Sequence, residues 1–157
     1  MTMKKITNII VHCSDSEFGS ASMIRQWHLK NGWKDIGYHF VIDNGLLVPK
    51  AGNWQTELRL NSLDGSIEAG RYLDGDSFIS DNEVGAHTLG YNATSLGVCL
   101  IGVKSFTVNQ FNSLTYLLKE LLYYFKLKKD CIKGHYQVCK NKTCPNFDVP
   151  KFVQERL

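Results

Sequence analysis

Apolar and polar positions alternate with two different periods along this chain, and the period marks the elements. Lys4 to Cys13 is rich in β-branched residues and runs into the polar group Ser14-Asp15-Ser16, the pattern of a buried strand entering a loop. Ser20 or Ser22 can cap a helix that runs to Asn31, with Met23, Ile24 and Trp27 on its inner face and Asn31-Gly32 as a left-handed stop. Tyr38 to Asp43 predicts a second strand, and Asn44-Gly45 a hairpin into Leu46-Leu47-Val48. Asp64-Gly65 offers another turn, and residues 72–86 lack periodicity and read as loop. Leu96 to Val103 is an almost unbroken apolar run of strand length, as a central strand requires.

The clearest helix begins at the capping box Thr107-x-x-Gln110. Phe111, Leu114, Leu117, Leu118, Leu121, Leu122 and Phe125 then keep one apolar face to its end. A short strand at Ile132-Lys133, a cysteine-rich loop and a helix from Val149 complete the chain. Strands alternating with helices predict an α/β protein: one domain over residues 1–157, with a central mixed β-sheet flanked by helices.

Composition narrows the class. The 157 residues are 43% hydrophobic and 21% charged, which suits a globular domain and excludes a disordered or fibrous one. No apolar run approaches the ~20 residues of a bilayer span. The start, with Lys4 and Lys5 before a short apolar run, reads as a strand and not as a secretory signal. A net charge of +3 does not point to nucleic acid, although residues 119–157 hold nine basic against four acidic side chains. The five cysteines are odd in number and irregular in spacing, so thiols or metal ligands are expected before disulfides.

Three segments hold candidate metal ligands: His12 at a strand end, His87 before the central strand, and His135 with Cys144 near the C-terminus. Imidazole and thiolate both suit zinc, whose catalytic sites keep three protein ligands and an open position. No single spacing among them specifies a known zinc motif.

Four stretches, taken together and in order, are more specific. They are Ile10-Val-His-Cys-Ser14, Ile24-Arg-Gln-Trp-His28 through Gly32-Trp-Lys-Asp-Ile-Gly-Tyr-His-Phe40, Gly85-Ala-His87 through Gly102, and Gly134-His135 through Lys142-Thr-Cys-Pro-Asn-Phe-Asp148. In these the chain resembles the zinc-dependent N-acetylmuramoyl-L-alanine amidases of the phage-lysozyme type, which share a fold with peptidoglycan-recognition proteins. The resemblance implies one zinc per chain held by His12, His135 and Cys144, catalytic roles for Tyr38 and Lys142, and a place for His87 in the substrate groove. It implies peptidoglycan as the partner and hydrolysis between N-acetylmuramic acid and L-alanine as the reaction. A phage endolysin released through a membrane lesion, a secretion machine or lysis fits that reading. A secreted antibacterial effector and a non-catalytic peptidoglycan-binding module are the alternatives. Some phage members of the family also bind a phage RNA polymerase, and no motif here identifies such a surface.

Against the family pattern, about residues 44–63 read as an insertion, with Trp54 and Arg59 as candidates for glycan contact. Cys139 falls inside the His135–Cys144 loop and is expected to be a bystander. His28 and His39 are expected to bond structurally, Cys13 and Cys99 to pack, and Trp27 and Trp33 to lie in the core.

Overall fold

A computed structural model describes residues 3–48 and 57–157; Trp54 lies outside them. In chain order the elements are β1 (Lys4–Lys5), β2 (Asn8–Cys13), α1 (Ala21–Lys30), β3 (Phe40–Ile42), β4 (Leu46–Val48), β5 (Leu58–Arg59) and β6 (Ile67–Ala69). There follow β7 (Phe78–Ile79), β8 (Ser95–Leu100), α2 (Val108–Tyr124), β9 (Ile132–Gly134), α3 (His135–Val138) and α4 (Val149–Arg156). The main sheet has the order β6-β3-β8-β2-β9. β3, β8, β2 and β9 run parallel and β6 is antiparallel on the β3 edge. It is a mixed sheet in a single-domain α/β fold.

Both faces are covered, which explains the continuous apolar runs. Ile9 and Val11, with Ile42, Leu96, Val98 and Leu100, pack against Leu114, Leu117, Leu118 and Leu121 of α2 and Phe152 of α4. On the other face Val41 and Cys99 meet Ala21 and Ile24 of α1, along with Ile36 and Ile101. The period of two along each strand assigns neighbours to opposite layers. Odd positions of β2 face α2, which leaves His12 on the face that α1 covers. Among the described residues no helix is long and apolar enough to cross a membrane.

The caps are those the sequence signals. Ser20 Oγ accepts from Met23 N–H at 3.2 Å, and Gly32 adopts φ 82° beyond the end of α1. The Thr107–Gln110 capping box is complete, and the buried Gln110 amide also donates to Ile42 O at 3.1 Å and Ile101 O at 2.8 Å. It thereby ties the start of α2 to the ends of β3 and β8.

The structure departs from the sequence expectation in three places. The run from Lys4 to Cys13 is two strands: β1 leaves the main sheet and pairs with β7, inside the segment expected to be loop. The hairpin expected at Asn44-Gly45 does not form between β3 and β4. β3 takes β6 as its antiparallel neighbour and β4 takes β5. Asn44 instead closes a local turn, its Oδ1 accepting from Leu46 N–H at 2.9 Å while its amide donates to Glu17 O at 2.9 Å. The cysteine-rich loop opens with the short helix α3. Arg59, a candidate glycan contact, stays exposed in β5 while it pairs with Glu57 at 2.7 Å and reaches Asn44 O at 3.3 Å.

Candidate metal centre

His12 is the second-last residue of β2, beside β9. The parallel register sets Val11 opposite Gly134, so the two strands leave that pair side by side. The next residue of each is a histidine, and the rings of His12 and His135 lie 4.6 Å apart. Cys144 arrives on the returning loop, whose carbonyl accepts from Tyr136 N–H at 3.0 Å. Cys13 N–H donates to Cys144 Sγ at 3.1 Å, and Asn146 anchors the loop by donating to Val103 O at 2.6 Å. One imidazole nitrogen from each histidine and the Cys144 sulfur all lie within 4.8 Å of one another.

The donor set suits zinc, and so does its spacing. Tetrahedral bonds of about 2.3 Å to sulfur and about 2.0 Å to nitrogen put those atoms roughly 3.6 Å apart. Cys144 Sγ stands 3.7 Å from His12 Nδ1. Burial, followed by the neighbouring His87 and His135, holds His12 well below the usual imidazole range. Burial and then Lys142 lower His135 as well. Both rings are therefore neutral near pH 7, the form a metal requires. With no ion's charge in place, the Cys13 side chain and burial push the Cys144 thiol up, while the Cys13 backbone N–H pulls the other way. A divalent cation would reverse that balance in favour of thiolate.

The remaining candidates border the same place. A cavity of about 360 Å³ is lined by His12, Trp33, Tyr38, His87, His135 and Lys142 among others. The Tyr38 ring is 5.2 Å from His12. Burial, with the Cys99, Cys144 and Cys13 thiols adding to it, raises Tyr38 well above the ordinary phenol value, so its hydroxyl stays protonated. Lys142 is exposed on the loop and also lines a second cavity of about 590 Å³ with Lys104, Tyr136 and Phe147. His87 is only 8% exposed and sits behind His12, with Nδ1 3.0 Å from His12 Nε2. Cys139 is outside the ligand group among the described residues.

The bland expectations hold for His28, whose Nδ1 accepts from Gly37 N–H at 2.9 Å. They hold for His39 too: it accepts from Gly97 N–H at 2.9 Å and donates to Glu83 O at 2.8 Å. Cys13 and Cys99 are buried. Trp33 is the exception, because it is 41% exposed and forms part of the cavity wall. Its place just past the Gly32 stop was the available signal, since a residue beyond a helix end no longer follows the core-facing stripe.

Fold and site together define an α/β protein with a His-His-Cys group that could hold a metal ion at the carboxyl edge of a mostly parallel sheet. Comparison with known proteins makes the class specific. Residues 2–147 match the family of N-acetylmuramoyl-L-alanine amidases, and the chain belongs to it. It is 35% identical to the endolysin of Escherichia phage T7, over 94% of this chain and 85% of that protein. It is 33% identical to the endolysin of Enterobacteria phage K11, over 96% and 87%. Among solved structures, the N-acetylmuramoyl-L-alanine amidase LysC from Clostridium intestinale aligns with a TM-score of 0.72 at 23% identity, covering 99% of this chain and 89% of that one. The bumblebee peptidoglycan-recognition protein PGRP-SA aligns with a TM-score of 0.68 at 23% identity, covering 99% and 87%. The protein is a peptidoglycan amidase, an enzyme of the endolysin kind.

Proposed function

We propose that the amidase is zinc-dependent, with His12, His135 and Cys144 as the three ligands, and that it cleaves between the lactyl group of N-acetylmuramic acid and L-alanine. The observation that carries this reading is the convergence of those three ligand atoms within 4.8 Å beside a cavity that Tyr38 and Lys142 also line. A zinc ion held there would supply the Lewis acidity that amide hydrolysis needs near neutral pH.

The chain's own groups do the rest. Lys142 offers a cation to the carbonyl oxygen as negative charge develops on it; loss of one such donor typically costs about 10²–10³ in turnover. Tyr38 keeps its proton, so it acts as a hydrogen-bonding phenol that orients the attacking water and not as a base. Trp33 gives the bound substrate an aromatic wall. The substrate is murein in the cell wall, reached after release from the cell that makes the enzyme.

Incubation of the purified protein with murein, followed by mass spectrometry of the soluble products, tests the reaction. Intact stem peptides with a new L-alanine amino terminus and uncut glycan strands are expected. New reducing sugar ends without new amines would refute it.

A further inference from the structure

His87 is buried behind His12, in a slot that two glycines keep open. A Cβ on Gly97 would stand 2.7 Å from His87 Cγ, and one on Gly85 would stand 2.7 Å from His87 Cδ2. The backbone carrying the ring is held as well, because Asn92 Oδ1 accepts from His87 N–H at 2.9 Å and from Thr88 N–H at 2.8 Å. A ring so enclosed, 8% exposed, presents little surface to a substrate. What it presents is a nitrogen to His12.

The hydrogen-bond chain fixes which nitrogen carries each proton. Ser95 O, a carbonyl that can only accept, lies 3.4 Å from His87 Nε2. In the neutral ring the proton therefore belongs on Nε2, and Nδ1 is left as an acceptor. That Nδ1 faces His12 Nε2 at 3.0 Å, so His12 must donate from Nε2. His12 Nδ1 is then unprotonated, and it is the atom 3.7 Å from Cys144 Sγ. Thr88 Oγ1, 3.1 Å from His87 Nδ1 and 3.4 Å from His12 Nε2, does not decide between the tautomers, because a hydroxyl can donate or accept at either nitrogen. The opposite tautomers would set two lone pairs face to face at Ser95 O and point an N–H of His12 into the ligand group.

We infer that His87 is a positioning residue: the chain Ser95 O, His87, His12 holds His12 as the Nε2–H tautomer and aims Nδ1 at the metal. This rests on the zinc reading above and goes beyond it, since it assigns His87 neither ligation nor substrate contact. Partners of this kind typically change metal affinity about 10–100-fold when removed.

Two measurements test it. Imidazole ¹⁵N shifts of the metal-free parental protein should show His12 protonated at Nε2 and bare at Nδ1; the Nδ1–H tautomer would overturn the inference without any reference to zinc. Chelator competition then compares zinc affinity in the parental protein, His87→Phe and His87→Asn. His87→Phe keeps a flat ring but no acceptor and should bind zinc about 10–100-fold more weakly. His87→Asn can place an amide oxygen near the lost Nδ1 and should recover most of that affinity. Parental affinity in His87→Phe, or equal losses in both variants, would sink the inference. A parental protein that binds no zinc would instead sink the zinc reading, and the tautomer measurement would still decide the hydrogen-bond chain.

Discussion

Replacing Asp43 by asparagine should remove a pH dependence from the stability of this protein. Asp43 follows β3 directly, is 3% exposed, and its Oδ1 has no hydrogen-bond partner. Its neighbour Glu68, in β6, accepts from Ala21 N–H at the start of α1 at 2.7 Å. Two carboxyls in one buried place cannot both ionise cheaply. Burial, then the neighbouring Glu68 carboxyl, raises Asp43 from 3.8 to about 8. The folded protein thus keeps a proton that the unfolded chain releases near pH 4. Stability from this group is fully present below the unfolded value and is lost as the pH rises through about 8. At ~1.4 kcal/mol per unit the ceiling is roughly 5–6 kcal/mol. Relaxation and water penetration around the pair bring the expected effect to about 2–3 kcal/mol between pH 5 and 9. An asparagine amide can donate to Glu68 at every pH. Urea unfolding of the parental protein and Asp43→Asn at pH 5, 7 and 9 should therefore show a difference that grows in favour of the variant as the pH rises. Because the comparison is made at equal pH and metal content, titration at the ligand group cancels. A difference that stays constant across the range would refute the proton retained on Asp43.

Other outcomes follow from the site and its support. Cys144→Ala should lose the one bound zinc, as read by metal analysis; undiminished zinc would remove Cys144 from the ligands and promote Cys139. Lys142→Ala and Tyr38→Phe should keep zinc and fold, while Lys142→Ala lowers kcat by about 10²–10³ with a smaller effect on KM. Kinetics on a defined muropeptide, with zinc measured on the same samples, would check both, and parental rates would end the catalytic assignment. Gly97→Ala puts a methyl against the His87 ring, at 2.7 Å from Cγ, and should cost about 1–3 kcal/mol in thermal or urea unfolding. No change would mean that the slot is looser than its contacts indicate.

Much of this architecture lies in the sequence because it depends on neighbours. The helix α2 needs only its capping box and a stripe of leucines every three or four residues, and α1 needs Ser20 and Gly32; both can be read within one window of chain. The parallel core strands betray themselves by unbroken apolar runs, since strands covered on both faces have no polar side to show. The candidate ligands too can be named from residue type and motif order. Nearness cannot be read that way. His12 and Cys144 are 132 positions apart and meet only because β9 takes its place beside β2, with Gly134 opposite Val11. Strand partnership is chosen by the whole sheet, which is also why Asn44-Gly45 promised a hairpin that β6 pre-empted. The same holds for Asp43 beside Glu68 and for His87 behind His12. Each residue alone looks ordinary, and the chemistry of each is decided by the low-dielectric contact that the folded sheet imposes on it.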